Sequence, residues 1–162
     1  MKNKRFLSVN ILLGIIAMIL LALCVNSILK PIVFNKKRQD RENAVKSSLI
    51  VIRKAQAAYL AANGNYSNSL DTLVSHKLLN PSDIYIPYSE GIPFELETDS
   101  IILRNGNTYP LMQCGARYDE YLYGMDEKQI EQLIVKATIY GRYPGLKIGD
   151  INTPNNNAGN WE

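Results

Sequence analysis

A chain of 162 residues with two cysteines has room for one small domain and cannot carry a disulfide framework. Its net charge of +3 hides an asymmetry: residues 30–54 hold eight basic against two acidic side chains, and residues 55–162 hold seven against thirteen. An acidic C-terminal region excludes a nucleic-acid-binding head, which needs a basic face.

Residues 1–5 are a short basic N-terminus with Lys2, Lys4 and Arg5. Residues 6–29 follow as an apolar run of 24, broken only by Ser8, Asn10, Asn26 and Ser27. At about 1.5 Å per residue a helix of this length crosses a hydrocarbon core of roughly 30 Å. Its backbone polar groups are satisfied internally, as lipid requires. A cleaved secretory signal fits less well, because "CVNSILKP" offers no small-x-small exit. "LALC" at Leu21 to Cys24 looks like a lipoprotein signal, but Leu23 puts bulk where that motif takes Gly, Ala or Ser. A retained transmembrane helix is the expectation, with Cys24 as a small apolar residue in it.

Residues 30–63 open at Lys30-Pro31, where a kink or a helix end is expected. A basic amphipathic helix then runs from Lys36 to Asn63. Val45, Leu49, Ile52, Gln56 and Tyr59 recur at spacings of 4, 3, 4 and 3, giving a stripe that packs on the head. Gly64 supplies the stop. Basic residues beside the span can meet anionic head groups, although a solvated helix face is the simpler reading. Six basic residues follow the span within about 20 positions and three precede it, so the positive-inside rule places the C-terminal domain in the cytoplasm.

Residues 64–162 form the head and its tail. "SLDTLVSHKLL" reads as a short helix capped by Ser67, Asn68 or Ser69. "NPSDIYIPYSEGIP" reads as a loop. "FELET", "SIILR" and "TYPLMQ" read as three short strands, the last two joined by an Asn105-Gly106 hairpin signal. Partial alternation in "ARYDEYLYG" predicts a further strand. "MDEKQIEQLIVKATIYG" reads as a helix capped by Asp126, with Ile130, Leu133, Ile134 and Ala137 on one face and Gly141 at its end. The tail "RYPGLKIGDINTPNNNAGNWE" reads as turns.

This order of anchor, kink, long amphipathic helix and sheet-bearing head resembles type IV pilins and the pseudopilins of type II secretion. "AQAAYLAANGNYSNSLDTL" resembles the stretch in which the pilin helix ends in Ala-Gln and an aromatic, followed by an "nG-Y" turn and a short helix. "NNNAGNWE" resembles the "D-I-G-N-W" ending of major pseudopilins. The chain is also similar to a group of short single-span bacterial proteins with ends of the form "YPGLK…NNNAGNWE". With Phe6 aligned to the first mature pilin residue, Arg5 stands where the prepilin peptidase requires Gly. Asn10 then stands where pilins carry the glutamate that pairs with the new amine. Both departures imply an unprocessed, pilin-like anchored protein. The resemblance implies a head outside the cytoplasm, in the periplasm, against the charge count, and that placement is the expectation adopted.

Candidate chemistry is sparse. The resemblance to pseudopilins implies calcium near the C-terminal loop, where Asp150, Asn152, Asn155 and Asn157 supply oxygens. With one charge among them, asparagine turns are the stronger reading. The single histidine, His76, reads as a solvated helix-end residue, and Cys114 as a buried free thiol. Glu95, Glu97 and Asp99 alternate as an edge-protecting row. The tyrosines of "YDEYLY" are candidates for a binding face or for strand packing. Trp161 implies a tail that folds back and buries its indole.

The expected fold is α+β: a long N-terminal transmembrane and amphipathic helix packed on a small antiparallel sheet with additional short helices. The expected function is a non-enzymatic, pilin-like or pseudopilin-like subunit of a bacterial cell-envelope assembly, single-pass in the inner membrane. Its partners would be the lipid bilayer and envelope proteins, including copies of itself, with no nucleic acid and no cofactor beyond candidate calcium. The alternative is a membrane-anchored ligand-binding or sensor domain.

Overall fold

The computed structural model describes the backbone of residues 2–104 and 106–162, and the side chains of residues 12–25, 27–104 and 106–162. The readings that rest on Lys2, Lys4, Arg5, Phe6, Ser8, Asn10 and Asn26 as side chains, and on Asn105, lie outside the described residues. The chain divides into an N-terminal unit ending at Lys37 and a head, Arg38–Glu162.

One helix, α1 (Lys2–Asn63), runs without interruption through Pro31. The sequence had a kink or an end there, and the helix does not end. Proline cannot donate to the carbonyl four residues back, but its φ already suits a helix. One lost bond is outweighed by the cooperative ladder on either side. In the N-terminal unit the large apolar side chains from Leu12 to Val25 are 45–73 % exposed. Burying each is worth about 1.5–3 kcal/mol, so a surface of this kind needs an apolar cover. The helix is long and apolar enough to cross a membrane.

In the head, Val45, Leu49, Ile52 and Gln56 are all fully buried and Tyr59 is half-buried. The stripe read from the sequence is therefore core. Gly64 follows the last turn with φ +77° and donates to Leu60 O at 2.8 Å. Helix α2 (Leu70–Ser75) starts where Ser69 Oγ accepts from Asp71 N–H at 3.2 Å. It stops four residues before the predicted helix does, because Lys77 turns left-handed and Leu78 N–H closes on Leu73 O. Pro81–Ile84 add one 3₁₀ turn within the predicted loop.

The sheet has three antiparallel strands in the order β1-β2-β3. Strand β1 is Glu95–Ile102 and β2 is Thr108–Arg117, with Glu95 opposite Gly115 and Ile102 opposite Thr108. "FELET" and "SIILR", read as two strands, are one strand, since Asp99 and Ser100 continue the pleat opposite Leu111 and Pro110. The hairpin between β1 and β2 is as expected. Cys114 and Ala116 on β2 face Ile148 and Leu146 on β3 (Gly145–Gly149), and all four are buried. Met112 joins them at 0 % exposure. Strand β3 falls inside the segment read as turns: two flanking glycines masked a three-residue apolar-polar-apolar core.

The strand predicted in "ARYDEYLYG" is instead the end of β2 and a helical turn, α3 (Tyr118–Tyr121). Glu120 folds back to accept from Arg117 N–H at 2.6 Å, which fixes the helical start and overrides the tyrosine alternation. Helix α4 (Glu127–Ile139) is as predicted, with Asp126 Oδ1 accepting from Gln129 N–H at 3.0 Å. At its end Gly141 takes φ +61°, and Gly141 and Arg142 N–H close on Thr138 and Ala137 carbonyls at 3.0 and 2.9 Å. This paired closure is what a left-handed glycine permits.

Candidate functional site

The C-terminal tail builds one wall of the site by docking along the open edge of β3. Gly159 bridges to Ile148. Asn160 N–H donates to Lys147 O at 3.0 Å, Asn160 Oδ1 accepts from Lys147 N–H at 3.2 Å, and Asn160 Nδ2 donates to Gly145 O at 3.0 Å. Glu162 pairs with Arg53 at 2.9 Å, and Asn157 Nδ2 donates to Tyr66 Oη at 2.7 Å. The tail thus acts as a cover for a strand edge whose backbone groups would otherwise lack partners. Trp161 folds back as expected but is half-buried, not fully buried. Its ring lies over Gly159, where an added Cβ would come within 2.6 Å of it.

Beside this tail runs a groove of about 900 Å³ in the head, between α1, the end of α4 and β3. Five cations line it, Arg38, Lys46, Lys136, Arg142 and Lys147, against two carboxylates, Glu42 and Asp150. Arg38 Nε lies 3.4 Å from Glu42 Oε1. Lys147 Nζ reaches Asp150 Oδ2 at 3.0 Å and Gln113 Oε1 at 2.7 Å. Lys46, Lys136 and Arg142 have no carboxylate partner among the described residues. Lys46 Nζ instead sits 5.8 Å from the centre of the Trp161 ring, and Arg142 Cζ sits 5.8 Å from that of Tyr140. A ring face holds a cation without neutralising it.

Two tyrosine hydroxyls in the head lack protein partners. Tyr143 Oη and Tyr121 Oη are both buried and unpaired among the described residues. Burial raises both phenols above their ordinary value, with Glu95 adding to it at Tyr143 and Glu42 at Tyr121. Both therefore remain neutral donors at physiological pH. An unpaired buried hydroxyl costs about 1–3 kcal/mol.

Three of the four oxygen-bearing residues of the tail already hold partners within the protein. Asp150 Oδ1 is taken by Asn152 and Thr153 N–H at 2.8 and 3.2 Å, and Oδ2 by the Lys147 ammonium. These donors hold its carboxyl below the ordinary range, the Asn152 N–H first and Lys147 next. Asn155 Nδ2 turns to Ala158 O at 3.5 Å and Asn157 to Tyr66. A cation here would displace an ammonium to meet a single carboxylate. No group of three or more His, Cys, Asp or Glu gathers among the described residues.

The remaining candidates lie apart. His76 is exposed as the residue closing α2, with Nδ1 2.9 Å from Thr72 O and its ring edge-on to Tyr59. Cys114 is a free thiol sealed in the central strand, its pKa pushed up to about 12 by burial and then by Glu95. Such a thiol stays protonated and makes a poor nucleophile. Glu95, Glu97 and Asp99 stand exposed on edge strand β1. Of the "YDEYLY" tyrosines, Tyr121 is core, Tyr118 is partly buried and only Tyr123 is exposed. Arg41 donates to the Tyr121 and Tyr123 carbonyls at 3.0 and 2.8 Å and lies 4.9 Å from the Tyr88 ring centre. The groove had no sequence signature, because its cations come from positions as far apart as Arg38 and Lys147.

No family model, no curated protein and no solved structure matches this chain.

Proposed function

We propose that the chain is a single-span bacterial inner-membrane protein whose head serves as a non-enzymatic, pilin-like subunit of an envelope assembly, with the head in the periplasm. The observation that carries the reading is the composition of α1. This one helix holds an exposed apolar stretch long enough to cross a bilayer and, later in sequence, the stripe that forms the core of the head. The absence of a small-x-small exit after the apolar run supports a retained anchor over a cleaved signal.

Because the stripe is spent inside the head, a protein partner has to meet another surface. The exposed Tyr85, Tyr88 and Tyr123, with Tyr88 and Tyr123 gathered around Arg41, suit that role. Tyrosines offer large contact area at low entropic cost. In a self-assembling version the apolar part of α1 packs with copies of itself in the bilayer.

The test is the mature mass of the full chain in a Gram-negative host, with protease access to the head in intact cells, spheroplasts and lysates. A full-length mass with cleavage at the spheroplast stage supports an exported, anchored head. Protection until the inner membrane is lysed places the head in the cytoplasm and rejects the envelope reading. A mass short by the apolar segment rejects the anchor.

A further inference from the structure

We propose that the groove between the head portion of α1, the end of α4 and the docked tail binds a phosphate-bearing ligand. This goes beyond anchoring and holds for either orientation of the head. Three cations in the groove, Lys46, Lys136 and Arg142, lack a carboxylate partner, and two of them are held over aromatic rings. A cation resting on a ring is ordered yet keeps its charge, so the groove is arranged for an anion before one arrives. Arg38 and Lys147, already paired, add no net pull once Glu42 and Asp150 are counted.

The surplus of three positive charges selects the class of anion. A lone carboxylate would leave two cations unmatched, whereas a phosphate monoester carries up to two charges and accepts from several donors at once. Tyr143 lines the same groove, with its hydroxyl turned inward onto Gly115 of β2, so the cations alone carry the recognition. The groove volume of about 900 Å³ admits a phosphate with an organic body attached. That body belongs to a soluble phosphate ester or to a lipid head group; the recognised chemistry is the same.

Trp161 is the only tryptophan in the chain and lies under Lys46, so its fluorescence reports on the groove. The full chain in phosphatidylcholine nanodiscs is titrated with inorganic phosphate and with pyrophosphate at constant ionic strength. A second arm replaces part of the lipid with phosphatidic acid, a lipid phosphate monoester, and adds no phosphate. A saturable signal in the first arm, weakened roughly tenfold or more by Lys136→Gln with Arg142→Gln, is the expected result for a soluble ester. A signal confined to the second arm and lost in the same variant identifies a lipid head group. A flat titration in both arms overturns the proposal. So does a signal that the double variant leaves intact, or one that a tetraglutamate peptide reproduces at the same concentration.

Discussion

Gln56 grips the peptide unit of Ser67 from both ends: its Nε2 donates to Ser67 O at 2.8 Å and its Oε1 accepts from Ser67 N–H at 2.9 Å. Both residues are buried, so the clamp satisfies backbone groups that are shielded from water. Gln56→Ala strands a buried N–H and a buried C=O, at about 1–3 kcal/mol each. In a chain of this size that lowers the thermal midpoint by roughly 5–15 °C. Gln56→Glu keeps the acceptor and loses the donor, and falls between. Circular dichroism melts of the full chain in neutral detergent measure both; a midpoint within about 1 °C of the parent for Gln56→Ala would show that water replaces the clamp.

Gln56 also marks where the sequence stops being readable. Its position in the stripe was legible from spacing, because helical periodicity is local. Its partner eleven residues on was not, because the turn that presents Ser67 depends on Gly64 and on α2 docking. The same division holds elsewhere. Helix α4 was legible from Asp126, its apolar face and Gly141, all local signals. Strand β3 was missed because Leu146 and Ile148 become a strand only by pairing with Ala116 and Cys114 some thirty positions earlier. "YDEY" was misread because the Glu120 to Arg117 bond outweighs alternation. The groove was invisible for the same reason as β3: its charges, from Arg38 to Asp150, are distant in sequence and meet only in the folded head.

The tail contributes to stability through edge closure as much as through Trp161. Deleting residues 155–162 removes the Ile148–Gly159 bridge, the Asn160 contacts, the Glu162–Arg53 pair and the Asn157–Tyr66 bond together. A loss on the order of 3–6 kcal/mol follows from those bonds and the indole. Gly159→Ala should reach about 1–3 kcal/mol of that, since its methyl would press on the indole at 2.6 Å. Urea unfolding of the three proteins ranks them parent, Gly159→Ala, deletion. An unshifted midpoint for the deletion would contradict tail docking.

Calcium should do nothing for this head. A ligand that binds only the folded state raises its stability by RT ln(1 + [L]/Kd), so a real site at millimolar calcium shows in the melt. The Lys147 ammonium already occupies Asp150, so millimolar calcium or a chelator should each leave the midpoint within about 1 °C. Asp150→Asn gives the complementary result. Its depressed carboxyl adds stability that is present above the ordinary value of 3.8 and is lost as pH falls through the folded value. The substitution therefore costs stability at neutral pH and flattens the acid limb. A midpoint rise with calcium that Asp150→Asn abolishes would restore the metal site.

Cys114 gives the head an alkaline limit. Burial pushes its thiol from 9.0 to about 12. Between those values the unfolded chain releases the proton while the folded chain keeps it, so the folded state binds more protons and stability falls as pH rises. The loss attributable to this group is about 1.4 kcal/mol by pH 10. Tyr121 and Tyr143, raised from 10.0, act in the same direction at higher pH, and they act equally in a Cys114 variant. Cys114→Ala therefore isolates the thiol: its urea midpoint starts lower at pH 8, from lost packing, but declines less steeply from pH 8 to pH 10 than the parent's. Parallel declines in the two proteins would mean that the thiolate is tolerated inside the sheet, and that the central strand opens readily enough to hydrate it.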